Sequence, residues 1–339
     1  MRAIVRRTVA GAAAVTAALL PAVFGGTPAD AQAAPEQDRP STWTVVALDP
    51  ATGDAGVAGA SCVSGNIDAL ASLVPGRGVA ATQAWYQTEN RDRVQELLVG
   101  GSTAGDIIAQ VTASDDDAAE RQYGVISLAD GRADIAAFTG DRNDDWAGCA
   151  DSQAVFPVTV QGNILEGERV VADALAAFDT GDVGDLALSD RLLRALEAGS
   201  AAGGDKRCNE NGVRQTASSA FLLVARGDEA PFVVTEIGDA ATTQPGAPAL
   251  ALSVAEPMSG PNPLVSLRAQ YDTWRAENLP ACADCDLAAI EVPVGGDAET
   301  AAAYGEGLLW MLGGLALALI AVVAAVVVLV VWLVRRRGR

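Results

Sequence analysis

From residue 42 onward, apolar and polar positions alternate in short runs, and pairs of segments with helical spacing interrupt them twice. The run at 43–49 (WTVVALD) is followed by the turn PATGD and a second run at 55–62, which predicts a β-hairpin. A third strand is predicted at 78–83 (GVAATQ). Helical spacing then takes over at 91–99 and 103–112, the second helix entered through GGST. The segment YGVISLADGRADIAAFTG predicts two strands around Asp130-Gly131, a dipeptide suited to the left-handed turn of a hairpin. FPVTVQGN predicts a further strand. Val170, Val171, Ala174, Leu175 and Phe178 recur at helical spacing within 165–178, and Leu192, Leu193 and Leu196 within 189–198. ASSAFLLVAR and PFVVTEI predict a strand pair, and PNPLVSLRAQYDTWRAEN an amphipathic helix.

Strands neighbour strands through tight turns, and helices arrive in pairs. This order predicts a layered α+β fold, with two antiparallel sheets between helical layers. It does not fit a doubly wound parallel sheet, which requires strand–helix alternation. No internal repeat is present.

The two ends carry a different pattern. Residues 1–31 combine a basic start, an apolar stretch at 8–24 and A-x-A sites at 29–31 and 31–33, which predicts a secretion signal. Residues 32–41 read as a leader, 42–279 as the ectodomain, and 280–306 as an Ala-, Gly- and acid-rich stalk. No charged residue occurs in 308–334, and RRRGR follows. A bilayer core needs about 20 apolar residues as a helix, so 307–334 is expected to be a single transmembrane helix. The basic tail, 335–339, would stay in the cytoplasm and the N-terminal domain outside the cell membrane. No LPxTG-type sorting motif precedes the apolar run.

Composition narrows the chemistry. Net charge is −20, and cutting off the signal and tail removes seven arginines but one carboxylate, so the ectodomain is more acidic still. Such a surface repels nucleic acid. The chain has no histidine. Ser-His-Asp and Cys-His catalysis and His-ligated zinc are excluded. A base must be a carboxylate, the single lysine Lys206, or a free α-amine. The five cysteines of an exported chain are expected to be oxidised. Cys62 with Cys208 is one long-range pairing, Cys282 with Cys285 a local one, and Cys149 is then left over. No metal site is predicted: DRNDDW has Trp146 where a calcium loop needs Gly. GASCVSG is not a nucleophile elbow, since Val63 follows Cys62.

Several segments, in order, resemble one family: TWTVVALDPATGDAGVAGAS, GRGVAATQA, RQYGVISLADGRADIAAFTG, DWAG, VQGNIL, LLRALEAGSAAGGDKR and NPLVSLRAQYDTW. The resemblance is to the bacterial domain of unknown function 1028, grouped with the N-terminal-nucleophile (Ntn) hydrolases, and spans roughly residues 42–277. It implies a four-layer αββα sandwich, and a mechanism in which the first residue of the mature chain attacks an amide carbonyl while its own α-amine acts as base. Family members often begin Met-Thr-aromatic-Ser, which matches Thr42, Trp43 and Thr44. Thr42 is therefore the implied nucleophile, provided a cut after Ser41 frees its amine; otherwise it is a strand residue. GGDKR at 203–207 matches a Gly-Gly-Asp-basic motif. Asp205 could orient or accept a proton and Arg207 could hold a carboxylate, or the two could brace a loop. Asn163 could donate to an oxyanion or cap the next helix. Gln161 and Gln83 are further polar candidates for substrate binding. Two departures stand out: CNENGV lengthens the loop after GGDKR, and Phe138 stands where the family often has His.

Taken together, these features predict an anchored extracytoplasmic amidohydrolase or peptidase acting on a small amide or peptide without a cofactor. The alternative is an Ntn-like binding or scaffolding domain that meets an envelope protein. Either is compatible with an oligomer.

Overall fold

The structure is a computed structural model that describes residues 42–295, apart from 145, 183–185, 213, 236–237, 239 and 282–287. The first hairpin joins β1 (Thr42–Leu48) to β2 (Ala55–Ser61), with Val46 opposite Val57. A second pair, β3 (Ala71–Val74) and β4 (Gly78–Gln83), leads into α1 (Thr88–Val99) and α2 (Ala104–Ala113). The Thr103 side chain caps α2 by accepting from Asp106 N–H at 3.1 Å, satisfying one of the orphan donors of its first turn. The hairpin β5 (Gln122–Ala129) and β6 (Arg132–Thr139) turns at Asp130-Gly131, both at positive φ (51° and 71°). β7 (Gly148–Ser152) and β8 (Val158–Asn163) precede α3 (Arg169–Phe178) and α4 (Leu188–Ala201). β9 (Ser219–Ala225), β10 (Leu250–Ala255) and α5 (Pro263–Asn278) follow.

The strands form a six-stranded sheet, β10-β9-β2-β1-β8-β7, and a four-stranded sheet, β3-β4-β5-β6. Every neighbouring pair is antiparallel. Strand alternation assigns the faces. Trp43, Val45 and Ala47 of β1 pack toward α3, α4 and α5 with Val170, Leu192 and Leu267. Val46 and Leu48 point the other way, into a core shared with Val79, Ala81, Ile126 and Leu223, which lies between the sheets. Tyr123 and Val125 of β5 meet Val94, Leu98 and Ile107 of α1 and α2 on the far face of the smaller sheet. Both faces of the central strands are covered, so β1, β2 and β9 are buried along their whole length. Each fully buried Val, Leu or Phe contributes about 1.5–3 kcal/mol.

The expected fold class, a four-layer αββα sandwich with a C-terminal transmembrane helix, is corrected as follows. The described chain is an α+β fold of two antiparallel sheets and five helices. Among the described residues no helix is long and apolar enough to cross a membrane. Its longest, α5, has 16 residues. At a rise of about 1.5 Å per residue that is shorter than the roughly 30 Å of a bilayer core. The predicted signal, leader, transmembrane segment and basic tail, and Cys282 and Cys285, lie outside the described residues.

A second correction concerns PFVVTEI. It does not pair with β9, whose neighbours are β2 and β10. Phe232 instead exchanges two backbone hydrogen bonds with Leu73 of β3, at 3.0 and 2.8 Å. Phe232 and Val234 insert into the core between the sheets rather than extending a ladder. Pro231, with no N–H to donate, precedes them. Residues 288–295 of the predicted stalk hydrogen-bond back onto the domain, where Asn262 N–H meets Val294 O at 2.8 Å and Ile290 N–H meets Glu197 Oε2 at 3.2 Å.

Candidate active site

The layer between the sheets is apolar at one end and polar at the other. Continuing the alternation, Thr42 and Thr44 of β1, Thr159, Gln161 and Asn163 of β8, Gln83 of β4 and Gln122 of β5 share the face that carries Val46 and Ile126 further along. All seven are buried. Buried polar groups must be partnered, and here they partner one another. Thr44 Oγ1 donates to Gln83 Oε1 at 2.7 Å and accepts from Gln161 Nε2. Gln83 Nε2 donates to Gln122 Oε1 at 2.8 Å, and Gln122 Nε2 donates across to Gly162 O at 2.9 Å. Gly124 of β5 makes the room: a Cβ there would lie 2.2 Å from Gln161 Oε1.

Thr42 stands at the mouth of this seam and is clamped through its backbone. Its N–H donates to Asn163 Oδ1 at 3.1 Å, and its carbonyl accepts from Gln83 Nε2 at 3.1 Å. Asn163 lies directly opposite Thr42 in the β1–β8 register. Asn163 Nδ2 donates to Asn143 Oδ1 at 3.2 Å, and Asn143 Nδ2 donates to Arg121 O at 3.0 Å. Asn163 does not cap α3, whose N-cap is Glu168.

The residues after both clamping amides are forced into the left-handed region. Ala84 and Trp85 follow Gln83 with φ of 58° and 47°, and Ile164 follows Asn163 with φ of 48°. Such non-glycine positions cost about 1–3 kcal/mol each and persist where surroundings over-determine them. Arg121 supplies that support at the first corner: its guanidinium donates to Trp85 O at 2.8 Å and to Asp115 Oδ2 at 2.8 Å. Burial alone would raise the Asp115 pKa. Hydrogen bonds from Arg121, the Asp117 N–H and Asn90 outweigh it and hold the carboxyl below its ordinary value.

In front of Thr42 lies a cavity of about 300 Å³. Thr42, Ser61, Ser64 and Asn66 are its polar lining, and Val63, Ile67, Leu70, Ala84 and Tyr86 its apolar wall. Asn66 Nδ2 closes one side by donating to Gly238 O at 3.1 Å. The 63–65 loop is held from the start of β9, where the hydroxyls of Ser219 and of Ser218 just before the strand both donate to Val63 O, at 2.7 and 2.8 Å. No charged residue is among the described residues that line the cavity.

Asp205 and Arg207 lie apart from that lining. Both are buried and form a two-pronged pair, Arg207 Nε to Asp205 Oδ1 at 3.0 Å and NH2 to Oδ2 at 2.7 Å. Asp205 Oδ2 also accepts the N–H of Cys62 at 2.8 Å. Cys62 is joined to Cys208 by a disulfide with Cα atoms 5.7 Å apart. The Gly-Gly-Asp motif therefore ties its loop to the end of β2, one residue beyond the cavity-lining Ser61. Arg207 faces its own carboxylate partner, and no guanidinium is among the described residues that line the cavity.

Phe138 sits opposite Tyr123 in the β5–β6 register, its ring centroid 6.1 Å away, and packs with the α1–α2 core. That position is on the helix side of the smaller sheet, facing away from the polar seam. Sequence reasoning did not single out Ser61, Tyr86, Asn143 or Arg121. Ser61 and Asn143 fall within the two dismissed motifs, GASCVSG and DRNDDW, no motif marks Tyr86 or Arg121, and only the tertiary fold brings strand β2 and these loop residues together at this end of the sheets. Gln122 carried one legible signal, a polar residue opening an apolar strand in RQYGVIS.

Comparison with known proteins places this geometry in context. No curated protein matches the chain. The crystal structure of protein SPO2555 from Silicibacter pomeroyi is similar at 25% identity with a TM-score of 0.52, covering 73% of this chain and 98% of that one. A model of the family of unknown function DUF1028 matches residues 42–248, beginning at Thr42 itself. With its fold and the greater part of its length matched in this way, the chain belongs to the family of unknown function DUF1028.

Proposed function

We propose that this protein is an Ntn-type amidohydrolase that cleaves an amide or peptide bond with Thr42 as nucleophile. The reading rests on one observation above all: Thr42 opens β1, lines the cavity, and is held on both sides of its backbone by Asn163 and Gln83. Cutting the Ser41–Thr42 bond would turn the Thr42 nitrogen into an α-amine, whose ordinary pKa of about 7.7–8.0 suits a base near neutral pH. That amine takes the Oγ1 proton as Oγ1 attacks the substrate carbonyl. The carbon–nitrogen bond breaks, the leaving amine carries the proton away, and an acyl ester remains on Thr42. Water, deprotonated by the same amine, then attacks the ester, releases the acid and restores the hydroxyl. Asn163 and Gln83 position Thr42 in this scheme, and Asp205 with Arg207 holds the neighbouring loop. No histidine is required. The Cys62–Cys208 disulfide supports an extracytoplasmic setting.

The test is turnover of a panel of aryl amides by a chain that begins at Thr42. Thr42→Ala is expected to lower kcat by about a thousandfold or more, and Thr42→Ser to retain part of it. Equal turnover by Thr42→Ala would sink the reading.

A second reading, a binding domain without catalysis, is favoured by the 41 residues that precede Thr42. While they remain attached, the Thr42 nitrogen is a peptide nitrogen and no base. That reading expects an intact leader in the mature protein and the same ligand binding in Thr42→Ala.

A further inference from the structure

We propose, resting on the reading of Thr42 as the reacting residue, that Ser61 is a second catalytic residue whose hydroxyl relays the proton from Thr42 Oγ1 to the Thr42 α-amine. The backbone sets the two residues side by side. Trp43 stands opposite Ala60 in the β1–β2 register, so one step further along Thr42 stands opposite Ser61. Asp49 N–H donates to Asp54 O within this hairpin, and Leu48 N–H donates to Pro157 O on the β8 side. Odd-numbered residues of β1 therefore aim their backbone groups at β2, and even-numbered ones at β8. Thr42 follows the even set, with its N–H directed at Asn163. Ser61 turns its carbonyl toward β9, where it accepts the Ser218 N–H at 2.8 Å. The Thr42–Ser61 rung is thus of the kind without backbone hydrogen bonds, in which Cα atoms approach to about 4.5 Å and opposed side chains are closest. The equivalent rung two residues on shows how close: a Cβ on Gly59 would lie 3.0 Å from Thr44 Cγ2. Opposed residues share a face of the sheet, and Thr42 and Ser61 both line the cavity.

A relay answers a geometric difficulty of this nucleophile. Its amine and its hydroxyl belong to one residue, so a direct hydrogen bond between them closes a small ring and is strongly bent, and such bonds weaken steeply below about 120°. A neighbouring hydroxyl both donates and accepts, and bridges the two groups at wider angles. Ser61 Oγ takes the Thr42 Oγ1 proton while Oγ1 bonds to the substrate carbonyl carbon, and Ser61 passes its own proton to the amine. The carbonyl electron pair moves onto oxygen. It returns as the carbon–nitrogen bond breaks and the Thr42 ammonium protonates the leaving amine. Ser61 ends as the hydroxyl it began as. The residue is fully buried and fixed from both sides. Ser218 holds its carbonyl, and Cys62 next to it gives its N–H to Asp205 Oδ2 at 2.8 Å and is disulfide-bonded to Cys208. Through Cys62, the buried Asp205–Arg207 pair positions Ser61.

The experiment compares Ser61→Thr with Ser61→Val in a chain that begins at Thr42. The two new side chains have nearly the same shape and differ by a hydroxyl, so any effect of bulk is common to both. p-Nitrophenyl acetate is the ester probe and p-nitroacetanilide the amide probe. Acylation is read as an acetyl adduct by intact mass, and turnover as released chromophore. Ser61→Val is expected to lower the acylation rate and kcat by about a hundredfold, the low end of what a positioned proton-transfer group contributes, with KM little changed. Ser61→Thr should retain the larger part of both rates, and the two variants should melt together. In mixtures of ordinary and heavy water, the wild-type and Ser61→Thr rates should curve with deuterium content, since both relayed protons are in flight. The Ser61→Val rate should fall linearly. Equal rates in Ser61→Thr and Ser61→Val, fast or slow, overturn the relay. So does a slow Ser61→Val that keeps the curved isotope dependence. In either case Thr42 stands as nucleophile if Thr42→Ala forms no adduct. A wild-type chain that neither forms the adduct nor turns over the amide, or a Thr42→Ala variant that matches it, removes the hydrolase reading and the relay with it.

Discussion

Asn163 Oδ1 accepts the backbone N–H of Thr42 at 3.1 Å, from directly across the β1–β8 pair. The acceptor fixes where the nitrogen of Thr42 sits, and Asn143 and Arg121 in turn fix the acceptor. Asn163→Ala leaves a buried donor without this partner, so it should cost about 1–3 kcal/mol in urea unfolding. Asn163→Asp keeps an acceptor in place and should cost less than Asn163→Ala at neutral pH. Equal stability of wild type and Asn163→Ala would show that the clamp carries no weight.

The glutamine seam depends on a missing side chain. A Cβ at Gly124 would overlap the Gln161 amide, at 2.2 Å from Oε1 and 2.5 Å from Cδ. Gly124→Ala must therefore push Gln161 away from Thr44 or part the sheets. Overpacking of this kind costs about 1–3 kcal/mol, read as a lowered denaturant midpoint. A midpoint at or above the wild-type value would mean the seam repacks freely.

The Cys62–Cys208 disulfide closes a loop with a sequence separation of 146 and anchors the residue after Ser61. Replacing both cysteines by serine should destabilise the domain by about 2–5 kcal/mol. For a domain of this size each kcal/mol lowers Tm by about 2–4 °C, so calorimetry should show a drop of roughly 4–20 °C. An unchanged Tm would contradict the bracing role.

Acid should loosen the Trp85 corner through Asp115. Its carboxyl is held below the ordinary value, so it binds its proton more weakly folded than unfolded. The stability this confers is complete above the unfolded value of about 3.9, and is lost as pH falls through the lower folded value. The stability gap between wild type and Asp115→Asn should therefore be widest above pH 5 and narrow toward pH 3. A gap that stays constant over that range, measured by urea unfolding, would exclude the linkage.

Much of the fold is legible in the sequence because its central strands are buried on both faces and their turns carry Gly and Asp. The hairpins at PATGD and Asp130-Gly131 are examples. β3 and β7 are short, and β7 is half polar, so neither stands out from loop sequence. PFVVTEI has the composition of a strand, yet its Phe232 crosses to the other sheet, a tertiary choice that local pattern does not encode. At the site, Thr42, Gln83, Gln161 and Asn163 are visible as polar residues at strand ends. Their mutual contacts are not, because register across 121 residues brings Asn163 to Thr42. Asp205 and Arg207 carry a recognisable motif, but only the structure shows them locked to each other and to Cys62.

The most direct test is the intact mass of the mature protein after secretion from its host. The mature chain is expected to begin at Thr42, and Thr42→Ala to retain the preceding residues if the cut is self-made. A mature wild-type chain that begins near Gln32 or Ala34, with Thr42 still in peptide linkage, would contradict the reading of Thr42 as nucleophile.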